Sequence, residues 1–254
     1  MSTRIRVGLF VTCLVDLVRP QVGFAAVKLL EQAGCDVEIP NAQTCCGQPA
    51  WNAGADKHAA AIARNVIAAF EGFDYVVAPS GSCAGMIKRH YPEVFEKDPV
   101  WLVRARALAA KTHELTSFLV KVRGVEAVKA TFEGSVCYHD SCSSRREMGV
   151  VAEPRSLLAT VDGLTLKEIG DKETCCGFGG LFSVKYPEIS ERIADTKIAD
   201  VLASGAATLT GADLGCLLHL AGRMQRDGKD IAVRHVAEIL AGMGDEPALG
   251  EAQK

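Results

Sequence analysis

The sequence lacks the features that mark membrane-spanning, nucleic-acid-binding and disordered chains. No run of about 18 uncharged apolar residues occurs, so no transmembrane helix is predicted. Lys and Arg number 28 against 31 Asp and Glu, and the basic residues are scattered, which argues against a nucleic-acid partner. With 48% hydrophobic and 23% charged residues, the composition is that of an ordinary globular protein.

An apolar run close to the N-terminus superficially resembles a secretion signal. In "RIRVGLFVTCLVDLV", however, Asp16 interrupts the run, and no small-residue cleavage site follows it. We therefore expect a cytoplasmic protein. In such a protein clustered thiols serve metal or redox chemistry more often than disulfide formation.

The CxxC pair that is typical of structural zinc sites is also absent, although the chain has ten cysteines. Instead, cysteines recur at a nearly constant offset along the sequence. The offset is 129 residues between Cys13 and Cys142, 130 between Cys45-Cys46 and Cys175-Cys176, and 133 between Cys83 and Cys216. This period is far longer than the roughly 20 to 50 residues of a solenoid repeat, so it indicates a duplicated domain.

The segments around these cysteines alternate between strand-like and helix-like patterns. "IRVGLFVTC", "DYVVAPSGSC", "GSVCYHDSC" and "AATLTGADLGC" are apolar runs that each deliver a cysteine, and "KHAAAIARNVIAAF" carries an apolar helical stripe. The alternation predicts an α/β fold with two pseudo-symmetric tandem domains, each a small parallel sheet with covering helices. The least patterned stretch, 122–135, places the domains at 1–125 and 130–254.

On parallel sheets, cysteines that follow successive strands reach the same edge, where α/β folds usually bind ligands. Gly47 and Gly177 permit the sharp turn that two adjacent cysteines need to face one centre. Thiolates suit both zinc and iron–sulfur clusters, and the spacing favours iron–sulfur while zinc stays open. Cys35 and Cys137 lack counterparts in this pattern, and we interpret them as packing residues.

The motifs "QTCCGQPAWNAG", "CCGFGGLFSVK", "YHDSC", "APSGSCAGM" and "GCLLHLAG" resemble those of the CCG cysteine-rich domain family. That family includes the B subunit of heterodisulfide reductase and the iron–sulfur subunit of glycolate oxidase. The resemblance extends from about residue 5 to about residue 242. It is greatest for members of lactate utilization systems, which implies an oxidoreductase subunit that works with other iron–sulfur proteins in the oxidation of L-lactate to pyruvate.

The resemblance also implies one iron–sulfur cluster per domain, of the 4Fe–4S type, and a cysteine ligand set for each. These ligands are Cys13, Cys45, Cys46 and Cys83 in the first domain, and Cys142, Cys175, Cys176 and Cys216 in the second.

The sequence departs from the family pattern at several positions. Met86 and His219 stand where the family has a further cysteine, which leaves the cluster type open, and Ser143 stands where relatives commonly have histidine. His139 and Arg146 match the family. His139 is interpreted either as a hydrogen-bond donor to the cluster or as part of a buried polar network.

Three functions remain open at this stage. The first is an iron–sulfur electron-transfer component of a lactate-oxidising complex. The second is a CCG subunit for glycolate oxidation or for heterodisulfide or thiol reduction, and the third is a zinc-stabilised scaffold without a redox role. "CGFGG" lacks the spacing of a dinucleotide-binding loop, so no nicotinamide or flavin site is predicted. The sequence identifies no catalytic residue.

Overall fold

A computed structural model describes residues 4–251. In this part of the chain eight strands form two four-stranded sheets. The strands are β1 (Ile5–Leu9), β2 (Cys35–Glu38), β3 (Tyr75–Ala78), β4 (Thr112–Glu114), β5 (Thr131–His139), β6 (Asp162–Lys167), β7 (Thr208–Gly211) and β8 (Ala232–His235).

Helices connect the strands in both halves. Those of the first half are α1 (Cys13–Val18), α2 (Pro20–Gln32), α3 (Gln48–Asn52), α4 (Asp56–Phe70), α5 (Gly81–Gly85), α6 (Tyr91–Val94), α7 (Pro99–Ala110) and α8 (Leu115–Ser117), with π-helical turns at Met86–His90 and Phe118–Val122. Those of the second half are α9 (Cys142–Arg146), α10 (Glu153–Leu158), α11 (Leu181–Lys185), α12 (Pro187–Ala203), α13 (Leu214–Arg226) and α14 (Val236–Leu240). Among the helices of residues 4–251, none combines the length and apolarity that a membrane span requires.

The two sheets have the same topology, which confirms the predicted α/β fold. Their strand orders are β2-β1-β3-β4 and β6-β5-β7-β8, and all the pairings are parallel. Strands β1, β3 and β7 are buried over most of their length, because helices cover both faces of a parallel sheet.

The predicted elements are found with small differences in their bounds. The stripe on α4 is buried at Ala59, Ala63, Val66, Ile67 and Phe70. Strand β5 begins at Thr131, inside the stretch that the sequence shows as least patterned. The pattern is weak there because the first residues of the strand are largely exposed and its register shifts before Gly134. The domain boundary within 122–135 stays a prediction.

The two halves pack against each other over one apolar core that contains residues of both. Two ion pairs cross this interface, each with its cation in the first half and its carboxylate in the second. Arg19 at the start of α2 lies 2.7 Å from Glu238 of α14, and Lys121 pairs with Glu153 of α10. Because Arg19 and Glu238 are both buried, the loss of either partner would leave an uncompensated charge.

A buried carboxylate, that of Asp213, joins the halves between β7 and α13. Its Oδ1 accepts hydrogen bonds from Ser80 Oγ at 2.7 Å, Ser82 Oγ at 2.7 Å and Ser82 N at 3.0 Å, all from the first half. Its Oδ2 accepts from Ser141 Oγ and, at 3.3 Å, from Ser144 Oγ. Burial raises the pKa of Asp213, but these hydrogen bonds outweigh it and hold the pKa below its ordinary value.

Glu114, at the end of β4, is a second buried carboxyl near this interface. Burial raises its pKa from 4.5 to about 7 against hydrogen bonds from Ser117 and Thr116, and Asp213 adds to the rise. Below about pH 4.5 the proton favours the folded state, and this contribution is lost as the pH rises through about 7. We expect Glu114→Gln to remove a pH dependence of up to about 3 kcal/mol in the free energy of unfolding.

Urea denaturation at pH 5 and pH 8 measures this difference, and exposed Glu126 provides the control Glu126→Gln. An equal loss of stability between the two pH values in wild type and Glu114→Gln would contradict the assignment.

Candidate metal centre

In the first half, three loops at the carboxyl edge of the sheet bring four cysteines together. Cys13 begins α1 after β1, and Cys83 lies in α5 after β3. Cys45 and Cys46 precede Gly47, whose φ of 87° provides the predicted turn. The Sγ atoms of Cys13 and Cys45 are 3.9 Å apart. Interactions with Cys45 and Cys83, together with burial, raise the pKa of the Cys46 thiol.

The second half repeats this arrangement. Cys142 begins α9 after β5, Cys216 lies in the first turn of α13, and Gly177 turns with a φ of 88° after Cys175 and Cys176. The backbone also donates to sulfur here, from Gly177 N to Cys175 Sγ at 3.3 Å and from Phe178 N to Cys176 Sγ at 3.4 Å. Gly47 N donates to Cys45 Sγ at 3.4 Å in the first half.

The thiols of each set share protons in the same way. The hydrogen bond from Cys13 lowers the pKa of Cys45 to about 2, and that from Cys142 lowers the pKa of Cys175 to about 2. Hydrogen bonding to Cys45 and burial raise the pKa of Cys13. Each set thus forms one thiolate readily, and a bound metal has to displace the protons that remain.

One cleft between the halves contains both sets. All eight cysteines line this cavity of about 530 Å³, together with Asp213, Phe178 and residues of α11. Cys46, Cys83, Cys176 and Cys216 are buried on its inner side, whereas the other four are partly exposed. All ten cysteines lie in the described part of the chain, and each is a free thiol.

The structure does not bring the two unmatched cysteines to this cleft. Cys35 is buried in β2 and Cys137 in β5, where both belong to the apolar core. Met86 is buried in the apolar cluster of the first half, which also contains Cys46 and Cys83. The Nε2 of His219 lies 3.2 Å from Ser190 Oγ.

His139, at the end of β5, is placed differently. It is buried, and one of its nitrogens and the sulfurs of Cys176 and Cys216 lie within 4.8 Å of one another. Neither nitrogen meets hydrogen-bond geometry with any described protein atom, which argues against the buried polar network that the sequence left open.

The two remaining motif residues lie near the second set. Ser143 lines the cleft beside Cys142. Arg146 donates to the carbonyl of Glu173 at 3.3 Å and so braces the loop that leads into Cys175.

Sequence reasoning missed Asp213 and the serines that donate to it. A signal was present, because Asp213 precedes Cys216 by three residues and Ser80 precedes Cys83 by three. The two therefore occupy the same place in the repeat, at the starts of α13 and α5. That the carboxylate of one half accepts the hydroxyl of the other becomes visible only when the halves are packed.

The duplicated thiol geometry has a counterpart among known proteins. Residues 7–88 and 136–221 each match the CCG family model, which is described as a cysteine-rich domain. The chain belongs to the CCG cysteine-rich domain family. The two CCG matches contain the two thiol sets, one set in each match.

Three CCG relatives cover almost the whole chain. They are the proteins named lactate utilization protein A from Geobacillus kaustophilus, Bacillus cytotoxicus and Bacillus subtilis, which are 52%, 49% and 48% identical to this chain over 235 residues. Each alignment covers 92% of this chain and 98% of the relative.

A solved structure shares the CCG fold at low sequence identity. It is a hypothetical protein from Helicobacter pylori, with a TM-score of 0.63 at 14% identity, over 98% of this chain and 50% of the other. This likeness concerns the fold alone.

The eight thiols fit an iron–sulfur cluster in each half. Adjacent thiolates such as Cys45 and Cys46 are accommodated by a cluster of several irons, and backbone N–H groups that point at sulfur are typical of such sites. The unpartnered imidazole of His139 also leaves a polar group for a bound centre to contact.

The turn at Gly177 provides a test of the local geometry. A Cβ there would lie 2.4 Å from the carbonyl oxygen of Ser190, in addition to the strain of a positive φ. We expect Gly177→Ala to lower the free energy of unfolding by clearly more than the roughly 1 to 2 kcal/mol of left-handed strain alone. Denaturant titration measures this loss.

Gly228→Ala is the matched control, because Gly228 has a φ of 64° and open space around its Cα. Equal destabilisation by the two variants would contradict the packing of Gly177 against α12.

Proposed function

We propose that this protein is an iron–sulfur electron-transfer component of a multi-protein system that oxidises L-lactate to pyruvate. The observation that carries the proposal is the convergence of two matched four-thiol sets on one cleft. Cys13, Cys45, Cys46 and Cys83 would hold one 4Fe–4S cluster, and Cys142, Cys175, Cys176 and Cys216 the other. The clusters would accept and release single electrons.

The chain contributes the surroundings that such centres need. The N–H groups of Gly47 and Gly177 stabilise thiolate charge, and burial of Cys46 and Cys176 limits the access of water to the inner side of each set. The partly exposed thiols face the cleft, where a redox partner reaches them. Because both sets line the same cavity, clusters held by them would allow an electron to pass from one to the other inside the chain.

The lactate substrate is proposed from the relatives. Proteins named lactate utilization protein A are about half identical to this chain over nearly their full length. We infer the same pathway here, with iron–sulfur partner proteins that carry other parts of the reaction. We also propose a cytoplasmic location, where thiols stay reduced and available as metal ligands.

Two other functions have an observation in their favour. The three donors of His139, Cys176 and Cys216 lie within 4.8 Å of one another, an arrangement that also suits a single zinc ion in a scaffold protein. The open cleft beside the thiols equally suits a CCG subunit for glycolate oxidation or for heterodisulfide or thiol reduction.

Metal content separates the iron–sulfur and zinc functions. We expect anaerobically purified protein to contain iron and acid-labile sulfide. Cys46→Ser should lose about half of the iron, since one of two ligand sets is broken. The control Cys35→Ser should keep its iron, because Cys35 lies in the core. Stoichiometric zinc without iron, or equal iron loss in both variants, would overturn the assignment.

Growth on lactate tests the pathway. Deletion of the encoding gene should impair growth on L-lactate in a host without another lactate dehydrogenase, because electrons from lactate lose their carrier. Growth on glucose and on glycolate provides the controls. Normal growth on lactate together with a defect on glycolate would favour the glycolate subunit instead.

A further inference from the structure

The two thiol sets lie in unlike surroundings although their backbones match. Three polar residues beside the second set replace apolar residues at the equivalent places beside the first. His139 stands for Phe10, Lys197 for Val66 and His219 for Met86. His139 and Phe10 each lie three residues before the first cysteine of their set. His219 and Met86 each lie three residues after the last. The middle pair occupies the same buried place on α12 and α4.

In the first half, the position equivalent to His139 is a packing position occupied by Phe10. Its ring is fully buried with Cys46 and Cys83 in the apolar cluster of the first half and contacts Phe70, with ring centroids 5.6 Å apart. His139 occupies the equivalent place against Cys176 and Cys216, and its side chain is as deeply buried. The first thiol set is therefore packed against the phenyl ring of Phe10, and the second against the imidazole of His139.

Other polar differences between the halves are already compensated. Lys197 donates to the Asp171 carbonyl at 2.5 Å and has the carboxylates of Asp200, Asp171 and Asp140 around it. Asp213 is nearer the second set in sequence, but its charge is held by serines of both halves. His219 contacts Ser190.

Of the three polar residues beside the second set, His139 lacks a compensating contact. Both of its nitrogens are buried without a hydrogen-bond partner, while two sulfurs of the second set are nearby. A buried polar group without a partner in a native fold calls for a bound group that completes it.

We propose that the His139 imidazole donates a hydrogen bond to the iron–sulfur centre of the second thiol set and makes it the higher-potential centre of the two. This inference rests on the proposed function. A donor N–H stabilises the extra negative charge of a reduced cluster, so it raises the reduction potential. With clusters bound, the chain would take one electron from a one-electron donor at the first thiol set, hold it at the second, and release it to a one-electron acceptor, such as a partner iron–sulfur protein.

Potentiometric titration followed by EPR tests the inference on the anaerobically purified full chain, with dithionite as reductant. Wild type should show two midpoint potentials, and Cys46→Ser, which breaks the first set, should retain the higher one. His139→Phe, which copies the first half, should shift the higher potential to more negative values and leave the lower one in place. His139→Gln keeps an N–H donor, so its higher potential should lie close to the wild-type value.

Phe10→Leu is the matched packing control and should leave the higher potential unchanged. The inference is overturned if His139→Phe shifts the lower potential or neither, or if Cys46→Ser removes the higher one. Where His139→Phe fails to fold, Cys46→Ser still decides which set holds the higher-potential centre. His139→Leu then tests the imidazole, because it also lacks an N–H donor, and an unchanged higher potential in that variant overturns the inference.

Iron analysis of the same samples distinguishes a failure of the proposed function from a failure of the role of His139. Wild-type protein without iron contradicts the proposed function itself. Iron in both sets with two equal potentials contradicts only the role of His139. A strong nitrogen hyperfine coupling from the imidazole would show an iron–nitrogen bond, which overturns the hydrogen-bond role.

Discussion

The hydrogen bonds around Asp213 hold together the part of the structure on which the site depends. Each half alone supplies an edge of a parallel sheet with four thiols, and the shared cleft exists only because the two edges face each other. A buried carboxylate that accepts from Ser80 and Ser82 of one half and from Ser141 and Ser144 of the other fixes this relation. Because a charge in this position is stable only when its donors are in place, it specifies one orientation of the halves.

Duplication followed by divergence explains the form of the site. The repeat preserves the cysteines, the turn glycines and the parallel strand order, all of which the local geometry of a thiol set requires. It does not preserve the buried residue that packs against the thiols, which is Phe10 in the first half and His139 in the second. Two matching sets of cysteines thereby gain different surroundings.

Much of the fold could be predicted because it follows from local patterns. The apolar runs, the helical stripe on α4 and the recurring cysteines identify two parallel α/β units, and the edge rule of parallel sheets brings the cysteines together. The start of β5 was missed because its exposed first residues carry no alternation of polar and apolar side chains. Asp213 was missed because a hydrogen bond between residues 131 to 133 positions apart leaves no local pattern.

The sequence by itself determined the doubled TCCG motif, its four-thiol composition and the glycines that turn it, since these depend on neighbours along the chain. Only the tertiary structure decided that the two sets open into one cleft and that His139 lies near sulfur without another partner. These features depend on how separate segments pack. Burial and contact across a domain interface are properties of the folded chain, and no spacing in the sequence specifies them.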